Sequence, residues 1–141
     1  MKILIYGLNF YPELTGIGKY TGEMATWLAD QNNQIKVITS PPYYPEWQVK
    51  KGYRNFFYRK EELDDISITR CPLYVPKKQT TINRIIHLLS FSISSFPILV
   101  TKIFWKPDFI IVLAPSFFCT PGAIFISKIT RAKSILHIQD F

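Results

Sequence analysis

The chain has 141 residues, 48% of them hydrophobic and 19% charged, with 17 basic against 10 acidic side chains and a net charge of +7. That composition excludes a disordered chain and supplies one domain with its own core. A basic balance favours phosphates, nucleic acid or anionic lipid without choosing among them.

In chain order, the apolar run Ile3 to Tyr6 predicts a buried parallel strand. Met1-Lys2 leads straight into it, with no secretory h-region. A long loop from Gly7 to about Gly16 follows, then a helix from Gly18 to Asp30 with Tyr20, Met24, Trp27 and Leu28 on one stripe. Gln31-Asn32-Asn33 is a turn and Ile35 to Thr39 a second strand. Ser40-Pro41-Pro42-Tyr43-Tyr44-Pro45 is a loop, because proline does not sit in a central strand. Glu46 to Lys60 resists assignment. Ile66 to Arg70 is a third strand ended by Pro72. Thr80 or Thr81 caps a long helix reaching about Phe104. Asp108 to Leu113, Pro121 to Thr130 and Ala132 to Ile138 read as strand, helix and strand. Cys71 and Cys119, in no C-x-x-C pairing, read as buried reduced thiols of a cytosolic protein.

This alternation predicts an α/β fold, a Rossmann-like, doubly wound parallel sheet with helices on both faces. Gln139-Asp140-Phe141 follow the last strand directly, where the loops of such a sheet build a site. The expectation is a chain truncated after the first half of something larger.

Five segments are candidates for chemistry or contact. Gly16-Ile17-Gly18, with Gly22, opens the first helix and offers backbone N–H groups to a phosphate or sugar, with Lys19 nearby. The bland alternative is a turn that needs small residues for packing. Gly16 lies too far beyond Tyr6 for a dinucleotide fingerprint, and Thr39-Ser40 stands where a ribose-binding acid belongs, so NAD is disfavoured. At the end of the fifth strand, His137 or Asp140 could take a proton from an acceptor hydroxyl. A core histidine and a helix-capping aspartate explain the same residues equally well. Ser116 or Thr120, in the loop after the fourth strand, could touch substrate, although capping the next helix suits them better.

Between Trp47 and Lys60, Lys50, Lys51, Arg54, Arg59 and Lys60 interleave with Trp47, Tyr53, Phe56, Phe57 and Tyr58. Such residues serve a membrane surface, nucleic acid or a solvated loop packed by its own aromatics. No nucleic-acid motif accompanies them, so nucleic acid ranks last and is not expected as a partner. In the long helix, Ile82, Ile85, Ile86, Leu89, Ile93, Phe96 and Val100 trace one face, while Leu88, Phe91, Ile98 and Leu99 lie outside it. A helix apolar on more than one face needs a partner besides the sheet, either another domain or the bilayer surface. Its uncharged stretch is shorter than about 20 residues, which disfavours a full span. No metal constellation and no nucleophile elbow are visible.

Lys2 to Gly7, Asn9-Phe10-Tyr11-Pro12-Glu13, Thr15 to Glu23 and Val37 to Pro45 together resemble the N-terminal domain of GT-B retaining glycosyltransferases of family 4, above all the colanic-acid-type exopolysaccharide enzymes. The resemblance implies that residues 1–141 are the acceptor-side, N-terminal half of a GT-B fold, with the C-terminal donor-binding domain absent and the isolated fragment inactive. It implies transfer from a nucleotide-sugar donor to an acceptor that is often lipid-linked, with retention and without metal or other cofactor. It places Gly16 and Gly18 against the donor phosphates and the neighbourhood of Asp140 at the reaction centre. The expected location is the inner face of the cytoplasmic membrane, peripherally bound. Two departures stand out. Many members have His-Asp where this chain has Gln139-Asp140, with His137 two residues earlier, and no glutamate pair here has the donor-binding E-x7-E spacing. The alternative is a non-catalytic membrane-docking subunit of a split glycosyltransferase.

Overall fold

A computed structural model of the protein describes residues 1–11, 16–43, 46–53, 57–63, 65–78, 80–113 and 120–137. The elements are β1 (Lys2–Tyr6), α1 (Gly16–Asp30), β2 (Gln34–Thr39), β3 (Arg59–Leu63), β4 (Ile66–Arg70), α2 (Thr81–Trp105), β5 (Phe109–Leu113), α3 (Thr120–Thr130) and β6 (Lys133–His137). They form one six-stranded sheet in the order β3-β4-β2-β1-β5-β6. Strands β4, β2, β1, β5 and β6 run parallel. This is the doubly wound α/β architecture that the alternation predicts.

Two-residue periodicity sorts the strand side chains onto two cores. Ile3, Ile5, Ile35, Val37, Ile66 and Ile68 pack with Ala25 and, at the margin, Met24 and Leu28 of α1. Leu4, Tyr6, Ile38, Ile110 and Val112 pack on the other face with Phe91 and Leu99 of α2 and Ala123 and Ile126 of α3.

Two expectations need correction, and the structure settles a third point that the sequence left open. First, β3 is an additional strand, antiparallel to β4. Its sequence Arg59-Lys60-Glu61-Glu62-Leu63 has no apolar alternation because it is a solvent-facing edge, where charge deters unwanted strand pairing. It turns into β4 through Asp65 at φ 70°, a left-handed conformation that aspartate tolerates. Second, α1 begins at Gly16 rather than Gly18, so both glycines belong to its first turn and not to a preceding loop.

The point left open is which face of α2 meets the sheet. Thr80 caps it, its side chain accepting from the Asn83 N–H, and Lys106 closes it in a left-handed conformation with its N–H on the Lys102 carbonyl. The residues it buries are His87, Phe91, Ser95 and Leu99, one seam at four-residue spacing. The apolar stripe read from the sequence points the other way. Ile82 (70%), Ile93 (72%) and Phe104 (86%) are largely exposed, and Ile85, Ile86, Leu89 and Phe96 are exposed as well. Serine hydroxyls let the helix sit on its more polar side. Ser95 bonds the buried Tyr6 hydroxyl, Ser94 donates to the Pro72 carbonyl at 2.5 Å, and Ser90 accepts the Tyr74 N–H at 2.8 Å.

At the centre of the sheet, Gly7 ends β1 beside β5. A Cβ there would lie 2.6 Å from the Leu113 Cβ, an atom fixed to the backbone that no side-chain rotation moves aside. Gly7→Ala should therefore destabilise the full-length protein by about 1–3 kcal/mol through overpacking. Urea unfolding checks this, and an unchanged midpoint would contradict the close approach.

Candidate active site at the carboxyl edge of the sheet

Five parallel strands bring their carboxyl ends to one edge, the edge at which open α/β sheets bind ligands. The chain leaves β1 through buried Leu8, Asn9 and Phe10 and leaves β2 through buried Ser40. Ser40 fixes the first of these paths to the second, its hydroxyl donating to the Leu8 carbonyl at 2.6 Å. The Cys71 N–H bonds the Thr39 carbonyl at 2.8 Å and extends the β2–β4 pairing by one step.

The organising side chain of this edge is Arg70, at the end of β4 and 2% exposed. Its Nε donates to Glu61 Oε1 at 2.6 Å, its Nη1 to the Ser40 carbonyl at 2.8 Å, and its Nη2 to the Tyr11 carbonyl. The Tyr53 ring stands 5.1 Å from the guanidinium carbon and 4.7 Å from that of Arg59. Among the described residues, the buried side-chain polar atom with no hydrogen-bond partner is the Thr39 hydroxyl, and Thr39 is the register partner of Arg70.

A second buried group joins α2 to the loop after β2. His87 is 2% exposed. Its Nδ1 lies 2.6 Å from the Tyr74 carbonyl and its Nε2 3.0 Å from the Tyr43 hydroxyl. A carbonyl can only accept, so Nδ1 carries the proton and Nε2 accepts from Tyr43. The Trp47 ring closes the cluster, 5.1 Å from His87 and 5.2 Å from Tyr43, with the Arg84 guanidinium 6.0 Å from Trp47. Burial pulls the His87 pKa below its ordinary value, partly offset by the bond to Tyr74.

The residues expected to carry chemistry are distributed as follows. Gly16 and Gly18 lie in the first turn of α1. Gly18 is buried, and Lys19 is exposed with its ammonium 5.8 Å from the Tyr20 ring. The first turn of α1 has no acidic side chain, and the leading N–H groups of a helix, which have no intrahelical partner, favour an anion. His137 is the last residue of β6, paired with Leu113 of β5, so its backbone reaches the carboxyl edge. Asp140, Ser116 and Cys119 lie outside the described residues. Cys71 is buried and free of disulfide. The basic-aromatic segment contributes Trp47 and Tyr53 to this edge, and Tyr58 reaches α2, donating to the Ser94 carbonyl at 2.6 Å. Sequence reasoning passed over Arg70 and His87. The one available signal for Arg70 was an arginine ending an otherwise buried strand.

The architecture is the Rossmann-like half of a GT-B fold. It matches the catalytic domain of starch synthase IV from Arabidopsis thaliana bound to ADP and acarbose, with a TM-score of 0.65 over 97% of this chain and 33% of that one at 12% identity. A looser match, TM-score 0.51 at 14% identity, is the C-terminal domain of PF1911 hydrogenase from Pyrococcus furiosus, covering 96% of this chain and 89% of that one. At these identities the likeness is one of fold. No family model matches. In sequence the chain is 53% identical, over all 141 residues, to the putative colanic acid biosynthesis glycosyl transferase WcaI of Escherichia coli (strain K12), and it spans 34% of that relative's length.

His87 makes a pH prediction. With its folded pKa below the unfolded value, the unfolded chain binds more protons as pH falls through the ordinary histidine range. Stability is therefore full above about pH 6.5 and declines below it until the depressed folded pKa is reached. His87→Gln should flatten the loss of thermal midpoint between about pH 6.5 and 5.5. Equal slopes in the two proteins would show that His87 contributes nothing to it.

Proposed function

We propose that this chain is the acceptor-side half of a glycosyltransferase that moves a sugar from a nucleotide-sugar to a lipid-linked acceptor in exopolysaccharide or cell-envelope glycan synthesis. The extended similarity to a glycosyl transferase of colanic acid biosynthesis supports the transferase class. The observation that carries the lipid-linked acceptor is the outward face of α2.

α2 has 25 residues, about 37 Å of helix. It is long and apolar enough to cross a membrane by composition, yet it is held against the sheet along its buried seam. A helix so held can lie in the plane of a bilayer surface with its apolar face down. Ile82, Ile86, Leu89, Ile93 and Phe96 form that face, and Ile124, Phe125 and Ile129 of α3 are exposed in the same layer. Exposed Lys77 and Lys78 stand before the helix, and exposed Lys106 and Lys128 lie at its other end and on α3. This is the charge that anionic headgroups attract. The reading places the protein peripherally on the inner face of the cytoplasmic membrane.

In the same reading, donor phosphates meet the free N–H groups of the first turn of α1 at Gly16 and Gly18, with Lys19 adding charge. His137 and Asp140 border the reaction centre, where one of them takes the proton of the acceptor hydroxyl. Transfer is retaining and needs no metal. The barrier is lowered by positioning and by stabilising the departing phosphate.

Two measurements test this. The full-length protein, given labelled UDP-, GDP- and ADP-sugars and the lipid fraction of its own cells, should label a lipid product equally with and without EDTA, and no product under any combination would sink the transferase reading. The double variant Ile86→Glu/Ile93→Glu should keep its fold by circular dichroism and bind phosphatidylglycerol vesicles at least about tenfold more weakly than the parent protein. Unchanged binding would remove α2 from the membrane.

A further inference from the structure

A fully buried arginine is expensive to desolvate, and apolar residues of similar volume often stabilise as well or better. Arg70 is 2% exposed, and its carboxylate partner among the described residues, Glu61, is 21% exposed in its side chain and shared with Arg59 at 3.6 Å. The distinctive feature is where the other bonds go. Two donors of one planar group end on backbone carbonyls from two different connections, Tyr11 after β1 and Ser40 after β2. Only a guanidinium presents donors in a rigid fork of this kind. A lysine ammonium would reach one carbonyl as a point charge.

We propose that Arg70 is a positioning residue: through its Nη1 and Nη2 it holds the backbones leaving β1 and β2 at a fixed separation, and so fixes the path of the chain at the carboxyl edge of the sheet. The contact to Glu61 aims the fork, and Tyr53 covers its face. Tyr11 also meets α1 directly, since a Cβ on Gly22 would stand 3.2 Å from the Tyr11 Cβ. A shift of Tyr11 therefore passes to the helix that carries Gly16 and Gly18. Small displacements of this kind cost about a hundredfold in rate where alignment governs a reaction.

Hydrogen exchange of the full-length protein tests the proposal without any substrate. In Arg70→Lys, the amides of Leu8–Tyr11 and those of Ser40 and Tyr43, on either side of two prolines, should exchange at least tenfold faster, while those of β1, β2 and β5 stay at parent rates. Parent rates in both loops, or an equal rise across the sheet, would overturn it. If Arg70→Lys does not fold, Glu61→Gln keeps the guanidinium and loses only its aim. The same two loops should then loosen, and an unchanged pattern would overturn the proposal.

The activity readout alone rests on the transferase reading. In the lipid-labelling assay above, Arg70→Lys should lower kcat about a hundredfold, with KM for the nucleotide-sugar within threefold and Arg70→Gln worse than Arg70→Lys. A loss expressed wholly in KM, or equal loss in the two variants, would count against positioning. If the parent protein has no activity, the transferase reading fails while the exchange result still decides the role of Arg70.

Discussion

A parallel sheet cannot leave a face in water, and that constraint shapes the molecule. One face is met conventionally, with α1 laying an apolar stripe on Ile3, Ile5, Val37 and Ile68. The other face is met by a helix that covers the sheet with its less apolar side. Tyr6 is the reason this works. It projects from β1 into the α2 layer, where Ser95 bonds its buried hydroxyl. Once Ser95 and His87 are committed to the interior, helical geometry turns Ile82, Ile86 and Ile93 outward. The outward apolar face is thus the counterpart of polar groups buried beneath it.

The sheet was legible from sequence because its strands are short apolar runs bounded by glycine, proline and polar turns, at Tyr6-Gly7, Thr39-Ser40 and Arg70-Cys71-Pro72. What escaped follows from the same logic. β3 lacks a hydrophobic signal because an edge strand with both faces near solvent needs none. The buried side of α2 could not be read from periodicity, because the helix is apolar on more than one face and hydrogen bonding decides which side is buried. The site was legible only as a location. Parallel topology fixes which ends converge, so the first turn of α1 and the end of β6 could be placed at one edge. Arg70 takes its role from carbonyls 30 and 59 residues away, and His87 from partners 13 and 44 residues away, which no local pattern encodes.

The two buried basic side chains at this edge solve opposite electrostatic problems. Arg70 stays charged in the interior, and its neutralisation is divided between Glu61 and carbonyl dipoles. His87 is kept neutral by burial, with one nitrogen donating and the other accepting. Each ties a connection after β2 to a different element, Ser40 to β4 and Tyr43 to α2. The proline-rich exit from β2, which has no regular structure of its own, is held from both sides.

That arrangement gives the membrane proposal a direction. α2 runs against the strands. His87, near its start, bonds Tyr43 at the carboxyl edge, while Trp105, at its end, accepts through its carbonyl from the Lys2 ammonium at the opposite edge. A helix lying flat on a bilayer would therefore lay the strands parallel to the surface and open the carboxyl edge sideways, with Lys77 and Lys78 at the same end. A headgroup-linked sugar would reach the cleft by moving along the surface rather than by leaving it. The side chains between membrane and cleft would be those of the Tyr43, Trp47 and His87 cluster, so the contact that buries a histidine under α2 is also the one joining the proposed lipid-facing helix to the proposed acceptor side of the site.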